Sequence, residues 1–397
     1  MKLLEYKQFN NANEEKTLNK TKVAVAVAII IVVLITAIIA IIYASNENFR
    51  KFMDAHFLFK HVDEKDLSFI NIETDKKTYT CAYYNYIAVL ENNKLTLYNS
   101  SGKEVESFTV TISSPLFATQ DNYLAIAEEN QQKVYMFKDK KLLWEKEVDG
   151  KISRININEN GYVSVVVSGT SYKSVITTYA SDGQEVFKTF LSNTVVVDVD
   201  VSKDNKYLSF CEMNLSGTII ESRIKTISIE KAKQDPSNAI IFTYEMPANA
   251  LVTNLEYHEK DELICLCDSE IYVLKDGRKD CIAKIEMDKV TFCGVSLSKS
   301  YFEVLENKFG INNQKSEVRI CNTSNKKTAS YTIEGIAKSV CAKNGVIAIN
   351  LGSEAYFLNE KGWLIKKVST SQEIKDIVIS NNIAGIICNN KIMFLDL

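Results

Sequence analysis

One pattern constrains this chain more than any other: a short apolar run recurs eight times, at a spacing of roughly 40 residues. The copies begin at Tyr86 (YIAVLE), Tyr123 (YLAIAE), Tyr162 (YVSVVV), Tyr207 (YLSFCE), Leu263 (LICLCD), Tyr301 (YFEVLE), Val346 (VIAINL) and Ile383 (IAGIIC). Each is followed, after a tight polar turn, by another apolar run such as KVYMFK or EIYVLK. Each is preceded by one such as ISRININ or VVDVDVS. Runs this short, rich in β-branched and aromatic residues and bounded by Asn, Lys, Asp and Gly, are strands. Residues 122–148 display the unit plainly, with Tyr123–Glu128, Val134–Phe137 and Leu142–Val148 as three strands in succession.

A fourth strand completes seven of the copies: EVESFTV, LLWEKEV, EVFKTFL, IIFTYEM, CIAKIEM, ASYTIEG and LIKKVST. The eighth copy ends at Leu397 in its third strand, and one run, Leu67–Ile72 (LSFINI), stands unassigned ahead of the first copy. Pairing that run with the last copy closes a ring and removes two open sheet edges. Residues 65–397 then supply about 42 residues per blade, inside the propeller range. A solenoid would need polar caps, and the end strand is as apolar as the others. The expected fold is therefore all-β. It is a β-propeller of eight four-stranded blades, or seven if a terminal copy is not a blade, preceded by one transmembrane helix.

The turns between third and fourth strands repeat a small or polar pair: Ser101-Gly102, Asp139-Lys140, Asp182-Gly183, Asp276-Gly277 and Lys361-Gly362. A bulky residue follows in several copies (Trp144, Phe187, Trp363). Across residues 65–397 this pattern resembles the repeats of pyrroloquinoline-quinone-like and WD40-like propellers. The full WD40 signature is missing, since neither a Gly-His nor a Trp-Asp pair occurs. The quinone-binding members hold their cofactor on an aromatic platform over a carboxylate-bound calcium, near two adjacent cysteines. Here no Cys-Cys pair occurs and both tryptophans fall in outer strands, so no cofactor is expected. Together with its apolar amino-terminal segment, the chain also resembles single-span, membrane-anchored propeller families of Gram-positive bacteria, a resemblance that implies no activity.

That segment, Val23–Tyr43, runs without a charge, and as a helix it spans roughly 30 Å, the hydrocarbon thickness of a bilayer. It is longer than the apolar region of a cleaved signal peptide, although Ile42-Tyr43-Ala44 would make a weak cleavage site. Lys2, Lys7, Lys16, Lys20 and Lys22 precede it, against Arg50, Lys51 and Lys60 after it. The bias places the amino terminus in the cytoplasm and the rest outside. The expected organisation is a tail over 1–22, a transmembrane helix over 23–43, an amphipathic juxtamembrane stalk over 44–64, and the propeller over 65–397, closed by strand 67–72. In the stalk Phe49, Phe52, Met53 and Phe57 share one helical face suited to the membrane surface.

A net charge of −3 gives no basic field to hold nucleic acid. The nine cysteines include no CxxC; Cys265 and Cys267 lie at strand spacing with no His beside them, so they read as core hydrophobes and no metal is expected. No phosphate loop, HExxH or calcium loop occurs. His258, the one histidine within the propeller, reads as a solvated turn residue. No catalytic residue is expected, and the chain does not read as an enzyme.

Two surfaces are left as candidates. First strands line a propeller's channel, and their aligned column reads Pro115, Arg154, Asp198, Asn254, Gly294, Ser339 and Asp376. Such buried strands should be mostly apolar, so Arg154, Asp198, Asp200, Asn254 and Asp376 are candidate channel-mouth contacts for a ligand or partner. Asp198 and Asp200 point the same way from one strand, and Arg154 can pair with Asp198. The second surface is the set of long second-to-third strand loops, Ser168–Ser174, Asn214–Ser222 and Glu306–Ser316, whose tips offer Tyr172, Phe309 and Ile311. The function expected is a membrane-anchored, extracytoplasmic protein-binding or scaffolding module of the cell envelope. Its partners would be the lipid bilayer and an envelope protein. The alternative is an envelope enzyme that acts on a glycan through channel-mouth carboxylates.

Overall fold

The computed structural model describes residues 20–58, 60–73, 77–169, 171–307, 314–380 and 382–397. It divides into two units, Met1–Phe59 and Lys60–Leu397. In the first, helix α1 (Lys20–Ser45) is long and apolar enough over Ala24–Ser45 to cross a membrane, and none of that window is buried by protein. A helix apolar on every side with no core to enter is a span or a signal sequence. Helix α2 (Glu47–His56) starts at Asn46, whose side chain caps it by accepting from the Phe49 amide at 2.9 Å. The Tyr43 hydroxyl donates to Asp54 Oδ1 at 2.6 Å. Arg50 and Asp54 are thus buried, while Phe52 and Phe57 stay exposed with their rings 5.8 Å apart.

The second unit is a ring of eight sheets. Its blades are antiparallel meanders that run outward in chain order; in blade two the strands are Pro115–Gln120, Tyr123–Glu128, Lys133–Lys138 and Lys141–Glu147. Second strands are largely apolar and buried because both of their faces are covered. Leu124 and Ile126 pack toward Leu90, Leu95 and Leu97 of blade one, whereas Ala125 and Ala127 pack toward Val163 and Val165 of blade three. An alternating strand would leave one of these seams polar. Burial of these runs in every inter-blade seam is the main stabilising term.

The turns follow from backbone sterics. Gly102, Asp139, Gly183 and Gly362 all have positive φ, the region that suits Gly and tolerates Asp. At Gly183 there is a second constraint, since a Cβ would sit 3.0 Å from the Trp144 ring of the preceding blade. Trp144 Nε1 donates to the Ser181 carbonyl at 3.1 Å, and its ring packs on Tyr179. Trp144 is therefore a clasp between blades two and three.

Both ends of the unit build blade eight. Ser68–Asn71 lies antiparallel to Lys391–Asp396, with Ser68 opposite Phe394 and Asn71 opposite Lys391. Blade seven gains a fifth strand that periodicity gave no hint of. His61–Asp63, within the stretch expected to be stalk, runs parallel to Lys367–Ser369 on its outer edge. Between these two added strands Glu64 accepts from the Lys391 ammonium and, at 2.5 Å, from the Ser371 amide. These bonds hold its carboxyl down at about 2.

Candidate channel site

The first strands of blades three, four and five, Lys151–Ile157, Val195–Val201 and Val252–Tyr257, stand side by side around the channel. Arg154 Nη1 donates to Asp198 Oδ1 at 2.9 Å, joining blades three and four. The other Asp198 oxygen accepts from the Leu255 amide at 2.7 Å and from Asn254 Nδ2 at 3.4 Å, joining blades four and five. One turn of the pleat further on, Asp200 Oδ2 accepts from the Tyr257 amide at 2.7 Å, and Oδ1 accepts from Val201 N at 2.9 Å. Residues two apart share a strand face, and this face is turned to the neighbouring blade.

The two acids are accordingly spent on backbone donors. Both are buried, which pushes the Asp198 carboxyl up against the pull of Arg154 and pushes the Asp200 carboxyl well up. Asp376 is exposed on blade eight, and its Oδ1 accepts from its neighbour's amide, Ile377 N, at 2.8 Å. It stands apart from Asp198 and Asp200. The column therefore consists of inter-blade staples in blades three to five with a separate acid in blade eight.

At the opposite end of the first strands, where they finish, blades two to seven line a polar cavity of about 300 Å³ that opens to solvent. Of the five residues expected at the channel, Asp200 and Asn254 line it, and Arg154, Asp198 and Asp376 do not. Its chemistry comes from residues outside that set. Lys343, the last residue of the blade-seven first strand Ser339–Lys343, reaches across to blade two and donates to the Thr119 carbonyl at 2.5 Å and to the Thr119 hydroxyl. Glu256 projects from blade five and is bonded to Ser296. Both touch the cavity and are half-buried, and their desolvation pushes the Glu256 carboxyl up to about 7 and the Lys343 ammonium down. Among the described residues neither forms an ion pair within 4 Å with an opposite charge.

His258 also lines this cavity, and it corrects the reading of a solvated turn histidine. It is 2% exposed, and Nε2 lies 2.7 Å from the Val295 carbonyl. A carbonyl can only accept, so Nε2 carries the proton and the neutral ring presents Nδ1 as an acceptor. Burial pushes this imidazole down to about 4. The turn sequence EYHEKDE hid the fact that the ring folds inward, under the Val295 carbonyl of blade six.

On the other face, Tyr172 is 40% exposed and its ring lies 4.8 Å from that of Phe190, an exposed residue on the outer strand Glu185–Leu191 of blade three. Both line a groove of about 560 Å³ that runs along blades two and three. Phe309 and Ile311 lie outside the described residues. In the Asn214–Ser222 loop the exposed apolar residues are Leu215 and Ile219. All the free cysteines fit the core reading except Cys281, which is exposed, and Cys293, Cys321 and Cys341, which are half-buried.

Solved propellers share this architecture. The carboxy-terminal WD40 domain of Sif2 superposes with a TM-score of 0.55 at 12% identity, over 83% of this chain and 98% of that one. Sqt1 from Chaetomium thermophilum gives 0.53 at 9% identity over 83% and 97%, and the dihydro-heme d1 dehydrogenase NirN gives 0.53 at 8% over 84% and 76%. At such identities the likeness is one of fold alone. No curated protein matches the sequence. Residues 63–397 match the model of DUF5711, described as a family of unknown function.

Proposed function

The chain belongs to that family of unknown function, DUF5711, and from its own geometry we propose that it is a membrane-anchored module that binds a protein partner outside the cytoplasm. The observation that carries this reading is the exposed Tyr172–Phe190 pair, set on a rigid ring beside a groove large enough for side chains of a partner. Aromatic pairs of this kind supply large contact area at small entropic cost and are the usual anchors of protein interfaces. A binding role rather than catalysis is supported by Asp198 and Asp200. Hydrolysis of a glycan needs two acids facing one cleft, one of them ionised and free to act, and these two are turned between blades and bonded to amides. The span α1 would hold the ring at the membrane, with the lysine-rich tail inside and the ring in the envelope.

The test places a photo-crosslinking amino acid at position 172, at 190 and, as a control, at 230 on the opposite face, in living cells. The expected result is one discrete adduct of the same mass from 172 and 190, absent at 230 and lost on Phe190→Ala in the 172-labelled chain. Equal labelling from all three positions, or none from 172 and 190, would overturn the reading.

A further inference from the structure

The channel cavity is built differently from the staples above it. Lys343 and Glu256 stand on the first strands of blades seven and five, each fixed by its own hydrogen-bond partner and held apart from the other. An interior charge is expensive unless it is paired. Two opposite charges that share one small cavity without touching leave room for a molecule that touches both. Glu256 supplies acceptors suited to a ligand's N–H groups, and Lys343 supplies donors suited to an anion.

We propose that this cavity binds a small zwitterion of amino-acid size, its carboxylate held by Lys343 and its ammonium by Glu256. The volume of about 300 Å³ sits at the lower limit of ligand pockets and matches a molecule of amino-acid size. Lys203 and Glu159 also line the cavity and balance each other, so a neutral molecule with separated charges satisfies Lys343 and Glu256 together where a simple anion or cation would satisfy only one of them. The strained ionisation of both groups, the carboxyl pushed up and the ammonium pushed down, is relieved when each receives its counter-charge. This site is separate from the Tyr172–Phe190 groove, and neither proposal rests on the other.

The test is calorimetric titration of the full chain in detergent with L-alanine, L-leucine, β-alanine and 4-aminobutyrate, with acetate, methylammonium and inorganic phosphate as single-charge probes. At least one zwitterion should saturate a single site with Kd below about 1 mM, while the single-charge probes should not saturate over the same range. Glu256→Gln and Lys343→Met should each weaken that binding by about tenfold or more, the usual cost of removing one partner from a buried charge contact. Their melting curves in the absence of ligand show whether each has folded. Should Lys343→Met fail to fold, through loss of its link to Thr119, Glu256→Gln decides alone. Absence of saturation by every zwitterion overturns the proposal. So does acetate or phosphate binding as well as the best zwitterion, or unchanged affinity in the folded variants.

Discussion

Asp198 shows what a single charged residue does in this ring. Its carboxylate joins blades three, four and five through Arg154, Leu255 N and Asn254. Removing it leaves the partly exposed Arg154 guanidinium and the buried Leu255 amide without their acceptor, a loss on the order of 2 kcal/mol. Asp198→Ala should therefore lower the denaturation midpoint markedly, and Asp198→Asn, which keeps an acceptor for Leu255 N, should lower it less. Equal unfolding curves for wild type and Asp198→Ala would show that the staple carries no stability. His258 makes a pH-dependent contribution whose sign follows from its burial. The imidazole is held down at about 4 in the fold against 6.5 free, so its contribution is complete above pH 6.5 and is lost as pH falls from 6.5 toward 4. The full loss is about 3 kcal/mol by linkage. The acid limb of melting temperature against pH should be steeper in wild type than in His258→Gln between pH 6.5 and 4. The pairing of Arg154 with Asp198 was legible in the sequence, because charges inside an apolar first strand must be bonded to something. The sequence presents Asp198 and Asp200 as contacts for a ligand, whereas they accept from blade-five amides. Lys343 was not legible either. Its partner Thr119 lies 224 residues away across the ring, and CAKNG reads as a strand running into a turn.

Among the elements, the strand Ser68–Asn71 bears the most on stability, because it closes the ring with residues from the other end of the unit. Ile70 and Ile72 pack against Ile87, Val89 and Ile383, so the strand seals the seam between blades eight and one. Deleting residues 65–72 exposes that seam and opens the edge of the Lys391–Asp396 strand, and Ile70→Asp should do part of the same damage, at about 1 kcal/mol or more for removing a half-buried side chain from the seam and placing a charge there. A melting temperature unchanged by the deletion would show that the ring closes without it. The Glu64 carboxyl, held at about 2 by Lys391 and the Ser371 amide, adds to closure above pH 4.5, and its share is lost as pH falls from there toward 2. Blade number and this closing strand could be read in advance because a meander repeats its alternation and its turns, and one run was left over. The His61–Asp63 strand could not. Three residues carry no periodicity, and a parallel edge pairing needs no turn to announce it.

At the scale of the whole molecule, what the sequence could not show is which positions the ring brings together, since neighbours across a channel share no sequence interval. The cavity between blades two and seven is therefore a property of the closed ring, while α1 is a property of composition alone, legible from its length and lack of charge. That helix reads as a span or as a signal sequence, and the two have opposite consequences for an epitope placed at the amino terminus. If α1 is a span, the epitope stays on the full chain and sediments with membranes after a high-salt wash; if it is a signal sequence, the epitope is lost from the mature chain. The lysine bias ahead of the helix adds a second, independent expectation. Protease added to intact cells from which outer layers have been stripped should cut the chain between the span and the ring and leave a short membrane-bound fragment bearing the epitope. A chain cut there only after lysis would reverse the orientation. An engineered protease site between residues 58 and 60 makes the comparison direct. Cleavage there from outside releases the ring intact, and the released ring should keep the melting behaviour of its eight closed blades.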